Sequence, residues 1–261
     1  MVGAERKLSE SIQFDGLIQH MPTSFGVGLP EHPAGRTQRG RAHPPGGPPE
    51  ETLDIAVGGR AWRITAVTDQ DALLDSADDF EHFPFGLLLW DSAVGLARHF
   101  AGAPHLVAGR TVLELGCGVG LPGLVARAMG AAVCQTDHQG AALRLAEWNA
   151  AQNGSGPIER FAADWRAWTH RDRYDLLLGA DITYNRPEHF HLEQIFRQNL
   201  APGGSVLLSD PGRPQTLDFA AHLEKRGWSI AMDAVTVSPC RPADAAQETQ
   251  VTIFTITRTP E

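Results

Sequence analysis

Several residue types that mark common protein classes are scarce or missing. There are only three cysteines, Cys117, Cys134 and Cys240, with no Cys-x-x-Cys pair among them. An odd, scattered set argues against a disulfide framework and against a zinc site. No apolar run approaches the ~18 residues that span a bilayer. The start, Met1 to Lys7, leads into no hydrophobic segment of the signal-peptide kind. Positive charge is in deficit: the formal net charge is −9, which gives no general pull toward phosphate backbones, so nucleic acid is not an expected partner. Lysine is almost absent, since Lys7 and Lys225 stand alone among 22 basic residues. What remains is a soluble cytoplasmic protein without membrane association, whose 261 residues suffice for one sizeable core. The oligomeric state is not readable.

Composition shifts along the chain. The first fifty residues hold fifteen Gly and Pro, and Pro30 to Pro49 has no apolar period. Residues 1–50 are therefore expected as a flexible Gly/Pro-rich extension. Within it, Ile12, Phe14, Leu17, Ile18 and Met21 have the spacing of a short amphipathic turn. Residues 51–110 read as an accessory segment. Leu53, Ile55 and Val57 alternate with polar residues, Gly58-Gly59 follows, and Trp62 and Ile64 resume the alternation, which predicts a β-hairpin. Val94, Leu96, Ala97 and Phe100 then recur at helical spacing.

Residues 111–261 carry the main pattern. Strands are predicted at Thr111–Leu115, Ala132–Thr136, Ile158–Ala162, Tyr174–Gly179, Ser205–Ser209, Trp228–Val237 and Gln250–Thr257. Helices are predicted at Pro122–Met129, Ala141–Asn153, His191–Leu200 and Thr216–Arg226, the last closed by Gly227. The final two strands are joined without a crossover helix and should be antiparallel neighbours. The fold class is α/β, a doubly wound, Rossmann-like sheet of seven strands with an antiparallel last strand. Ligands in such sheets bind outside the carboxyl ends of the strands, and those positions hold Gly116, Asp137, Asp164 and Asp181.

The first βα turn, Glu114-Leu115-Gly116-Cys117-Gly118-Val119-Gly120-Leu121-Pro122-Gly123, has the glycines that let a backbone approach a cofactor closely. Gly118, Gly120 and Gly123 also satisfy the dinucleotide pattern G-x-G-x-x-G in a shifted register. Three features favour S-adenosylmethionine. Glu114 stands inside the strand end, Asp137 ends strand two 21 residues beyond Gly116, and Asp164-Trp165 follows strand three, and together they are expected to line an adenosine from ribose to ring. A carboxylate at Asp137 can accept both ribose hydroxyls, and an aspartate with an indole offers an acceptor and a flat face to adenine. A dehydrogenase would need a nicotinamide half-site that seven strands do not supply.

From Trp90 to about Arg258 the sequence resembles the seven-β-strand class I methyltransferases, and within them the protein-lysine methyltransferase group. The segments that carry the likeness are Leu89-Trp90, Val112-Leu113-Glu114-Leu115-Gly116-Cys117-Gly118, Gly179-Ala180-Asp181-Ile182-Thr183-Tyr184 and Ser209-Asp210-Pro211-Gly212-Arg213-Pro214. The last resembles the branch that methylates the electron-transfer flavoprotein β-subunit, and bacterial members of the group are also likened to nicotinamide N-methylating enzymes. The resemblance implies that Trp90, Gly116, Cys117, Gly118, Asp137, Trp165 and Ala180 contact S-adenosylmethionine, which leaves as S-adenosylhomocysteine. It implies that Asp181 and Tyr184 face the methyl acceptor. No metal is expected. The acceptor is a protein lysine on this reading; a small nitrogen-containing metabolite and an inactive cofactor-binding scaffold are the alternatives. Cys117 has no histidine placed to act as thiolate partner and is expected to fill space. Trp148, Trp168 and Trp228 are expected as structural. Arg213 either anchors its loop on Asp210 or stands at the acceptor entrance.

Overall fold

A two-stranded sheet forms first, β1 (Glu50–Val57) against β2 (Arg60–Val67), with Leu53 opposite Ile64 and Val57 opposite Arg60. Gly58 and Gly59 make the turn at φ of 61° and 74°, left-handed values that explain two consecutive glycines. The computed structural model describes residues 49–69, 73, 83–238 and 248–259. The expected extension, with its Ile12–Met21 cluster, therefore lies outside the described residues except at its end, as does Cys240.

The main elements follow the predicted order: α1 (Asp91–Gly102), β3 (Thr111–Leu115), α2 (Leu121–Ala128), β4 (Ala132–Asp137), α3 (Gly140–Gln152), β5 (Glu159–Ala162) and β6 (Tyr174–Ala180). The chain continues with α4 (His189–Asn199), β7 (Leu200–Asp210), α5 (Pro214–Glu224), β8 (Trp228–Val237) and β9 (Thr249–Arg258). The seven-stranded sheet has the order β5-β4-β3-β6-β7-β9-β8. The pairs from β5 through β7 are parallel, while β9 runs antiparallel to both β7 and β8. One strand is longer than the sequence predicts. β7 begins at Leu200, paired with Tyr174, and pairing resumes at Leu176 with Ser205. Ala201-Pro202-Gly203-Gly204 is looped out between them, which accommodates a proline that has no N–H for the ladder.

Strand alternation divides the core into two layers. Val112, Val133, Leu176, Leu178 and Leu207 face the layer of α1, α2, α3 and the hairpin. Leu113, Leu115, Leu177, Val206 and Leu208 face α4 and α5. The hairpin is tied to the core by a buried amide. Asn149 on α3 accepts from the Thr65 amide at 2.8 Å and donates to the carbonyls of Thr65 and Val119 at 3.0 and 2.9 Å. Trp228 is buried and Trp168 donates to Asn199 at 2.8 Å, as structural residues should. Trp148 is not core; it is 56% exposed on α3 because its position falls on the solvent side of that helix. Among the described residues no helix is long and apolar enough to cross a membrane.

α1 crosses β9 closely at Gly95. A Cβ built there would lie 2.8 Å from Cγ1 of Val251. Gly95→Ala should gain helix propensity yet lose stability, because overpacking costs about 1–3 kcal/mol against a gain of roughly 0.5–1 kcal/mol. A lower melting temperature for the variant is the expected result; a higher one would mean that the contact relaxes freely.

Candidate cofactor and acceptor cleft

The strand order reverses between β3 and β6, and the loops that leave β3, β4, β5 and β6 meet at that point. The turn after β3 holds Gly116, Gly118 and Gly120 at φ of 62°, 51° and 86°. Asp137, at the end of β4, pins this turn: Oδ2 accepts from the Gly118 amide at 3.0 Å and Oδ1 from the Gln139 amide at 2.9 Å. His138 Nδ1 stands 3.5 Å from the same Oδ1, and the carboxylate is almost wholly buried at the strand end. Side chains are excluded over the turn. A Cβ on Gly116 would meet Ile182 at 2.9 Å and the Trp165 ring at 3.3 Å, and one on Gly118 would meet the Gly86 carbonyl oxygen at 3.2 Å.

Glu114 lies under this turn. It shares a strand face with Val112, toward α2, and its Oε2 accepts from the Gly123 amide at 3.1 Å and from Gln135 Nε2 at 2.7 Å. Gln135 also donates to the Gly120 carbonyl at 3.1 Å and accepts from Arg160 at 2.8 Å. Glu114 thus braces the turn from below. Its Oε1 has no hydrogen-bond partner. Burial is the main reason that its carboxyl is pushed up to about 7. Cys117 is buried in the same turn, and burial followed by the charges of Glu114 and Asp137 pushes its thiol well above the ordinary range, as a space-filling residue requires.

After β5, Trp165 lays its ring against Gly116, while Asp164 caps the short helical turn that Trp165 begins. Burial alone would raise the Asp164 carboxyl, but bonds from Arg166, through its amide at 2.9 Å and its guanidinium at 3.0 Å, hold it below the usual value. Trp90 stands at the start of α1 and donates Nε1 to the Phe85 carbonyl at 3.1 Å. Phe85 in turn packs at 4.5 Å from Phe83, 6.2 Å from Trp90 and 5.7 Å from Tyr184. The turn Phe85–Leu87 was not expected from the sequence at all. Phe83 and Trp90 are near it in the chain, but Tyr184 is about a hundred residues away, and three residues are too few for a periodic signal.

β6 ends at Ala180 and delivers Asp181 to the cleft. Asp181 is the one non-glycine residue at positive φ among the described residues, at 59°. Such a conformation is uncommon outside glycine and marks a position that its surroundings over-determine. Its amide donates to the Ser209 carbonyl at 2.8 Å. Its carboxylate is paired with both terminal nitrogens of Arg213, and burial pushes it upward against that pairing. Tyr184 is 40% exposed, with its hydroxyl pushed up by desolvation and by the nearby Asp181 charge. Ile182 packs beneath Gly116 and Gly179, so the glycine turn and the end of β6 share one apolar wall.

The Glu114 brace can be checked by pH. A carboxyl raised from 4.5 to about 7 contributes stability that is full below pH 4.5 and is lost as pH rises through 7. Glu114→Gln keeps an acceptor for Gly123 and Gln135 and removes the titration. The wild type should therefore lose of order 2–3 kcal/mol relative to the variant between pH 4.5 and 8, read by chemical denaturation. A constant difference would place the ionised carboxylate at no cost beneath the turn.

Comparison with known proteins agrees with this layout. A family model described as lysine methyltransferase matches residues 69–225, more than half of the chain. A protein N-terminal and lysine N-methyltransferase of Eremothecium gossypii is 36% identical over 154 residues, 51% of this chain and 58% of that protein. An electron transfer flavoprotein beta subunit lysine methyltransferase of Danio rerio is 32% identical over 175 residues, 61% of this chain and 67% of that protein. The chain thus spans between about half and two thirds of the length of such relatives. A solved chain described by the conversion of a disulfide bond into a thioacetal group during echinomycin biosynthesis aligns with TM-score 0.51 at 19% identity, over 62% of this chain and 79% of that one, and shows the same fold. With the family match taking in the glycine turn, Asp137, Asp181 and Tyr184 alike, this chain belongs to the lysine methyltransferase family.

Proposed function

We propose that this protein is an S-adenosylmethionine-dependent N-methyltransferase acting on a lysine side chain of a protein. The observation that carries the reading is the meeting, at adjacent strand ends, of a glycine turn pinned by Asp137 with the buried Asp181 and half-exposed Tyr184, all inside the matched region. The residues fit the cofactor. The turn would be filled by any Cβ, the Asp137 carboxylate stands at the strand end where ribose hydroxyls would donate, and Trp165 offers a flat face for adenine. Trp90, Gly116, Cys117, Gly118 and Ala180 complete that wall, and Glu114 and Asp164 hold it in shape.

S-adenosylmethionine supplies a methyl group on a sulfonium, and S-adenosylhomocysteine is what remains. The protein's share is alignment and a channel that tolerates positive charge. Asp181 grips and orients the amine, and Tyr184 packs and hydrogen bonds beside it. A lysine ammonium with a free pKa near 10.4 must lose a proton first, at a cost of about 4.6 kcal/mol at pH 7, and water on the way into the cleft takes that proton. A half-exposed Tyr184 at the rim suits an acceptor presented by a larger body. The printed name of the Eremothecium gossypii relative adds the protein N-terminus, an amine of the same chemistry. The free, buried thiols of Cys117 and Cys134 suit a reducing cytoplasm.

Incubation with tritiated S-adenosylmethionine and a cell lysate, separated into macromolecules and small molecules, tests the reading. Label is expected in the protein fraction on acid-stable methyllysine, with little self-labelling because the chain has only two lysines. At subsaturating acceptor the rate should rise about tenfold per pH unit up to the apparent pKa of the amine. Label confined to small molecules, with a flat profile from pH 6.5 to 9, would point to a pyridine-type acceptor instead.

A further inference from the structure

We propose that Arg213 is a positioning residue of the acceptor site, clamping Asp181 and offsetting its charge so that the carboxylate orients an amine without trapping it as ammonium. This deepens the amine-acceptor reading and rests on it. Arg213 sits in the Ser209-Asp210-Pro211-Gly212-Arg213-Pro214 loop at the end of β7. Asp210 shapes that loop: fully buried, it accepts from the amides of Gly212 at 2.8 Å and Arg213 at 2.6 Å through Oδ1. Its Oδ2 pairs with the Arg213 guanidinium at 2.9 Å. The loop thereby aims the same guanidinium at Asp181, which it meets through both terminal nitrogens. Two carboxylates from neighbouring strands share one rigid fork, a geometry that a lysine point charge cannot reproduce.

Charge arithmetic gives the clamp its consequence. Asp181, Asp210 and Arg213 together carry a net −1. Loss of Arg213 alone leaves Asp181 and the buried Asp210 behind it without their shared cation. An added negative charge holds an amine protonated, which is the wrong state for attack. The other groups that act on this corner are Asp91 at the start of α1, bonded by Thr249 at 2.7 Å, and Tyr184, with Asp137 and Glu188 acting on Tyr184 from farther off. None of them is a second cation. Arg213 is only 22% exposed, so solvent screens the cluster weakly.

The position of the alkaline limb of the pH–rate profile should therefore follow the net charge of the cluster. Methyl transfer is measured at subsaturating acceptor from pH 6.5 to 10 for the wild type, Arg213→Lys, Arg213→Gln, Asp181→Asn and the Arg213→Gln/Asp181→Asn pair. S-adenosylhomocysteine affinity by calorimetry and melting temperature are read on each. Arg213→Gln, at −2, should lose about tenfold at pH 7.5 with the limb moved up by about one pH unit, so that the deficit closes at high pH. Asp181→Asn, at zero, should move the limb down while losing amplitude. Arg213→Lys and the double variant, both at −1, should keep the wild-type limb at reduced amplitude. Affinity for S-adenosylhomocysteine should change less than about twofold throughout. If Arg213→Gln does not fold, Asp181→Asn and the double variant still separate the two limb positions. A shared limb in all folded variants, with losses equal at every pH, overturns the clamp and leaves Arg213 a loop anchor. A wild type that methylates no amine overturns the acceptor reading itself, a result that the variants are not needed to see.

Discussion

The Oδ2 atom of Asp137 accepts the amide proton of Gly118, and the shape of the cleft depends on that bond. A turn with three glycines at positive φ has many conformations available in isolation, and each glycine loses more freedom on folding than any other residue. The carboxylate at the end of β4 selects one of them. Glu114 acts on the same turn from beneath, through the Gly123 amide, and Gln135 links the two ends by donating to both Glu114 and the Gly120 carbonyl. Two acids, one amide and the glycines form a unit, and a change in any of them moves the surface against which a cofactor would lie.

The corner around Asp181 obeys a different constraint. There the chain accepts an aspartate in a left-handed conformation and buries it, both unfavourable alone. The hydrogen bond that the Asp181 amide donates to the Ser209 carbonyl and the Arg213 pair hold it in place. The two sides are joined by Ile182, which touches the glycine turn, and by Phe85, which reaches Tyr184. Both bridges are apolar, so the glycine turn and the Asp181–Arg213 pair meet across a nonpolar surface.

Much of this was readable from residue order. Strands β3, β4 and β6 announce themselves by short apolar runs, and the positions just after them in such a sheet must face the cleft. That rule alone pointed to Gly116, Asp137, Asp164 and Asp181. It stops short where a contact joins distant segments. Asn149 and Gln135 are polar residues in apolar surroundings, and nothing in their neighbourhood tells that one bonds the hairpin and the other the glycine turn. The Phe85–Leu87 turn is too short for a periodic signal. Glu114 shows how a one-residue step matters: it is near the strand end, yet alternation turns it toward α2 and under the turn, with Leu115 facing the other layer. The sequence left Arg213 open between anchoring its loop on Asp210 and standing at the acceptor entrance; the folded chain pairs it with Asp210 and also with Asp181, a partner that residue order does not show.

The central claim is that the loops leaving β3, β4 and β6 form one cofactor-and-acceptor cleft. Amide hydrogen exchange with and without S-adenosylhomocysteine tests it most directly. Exchange should slow, by at least about tenfold, in segments 116–120, 137–139 and 180–184, with β8 and β9 unchanged. Binding that left those three segments unprotected, or protected only the β8–β9 edge, would contradict it.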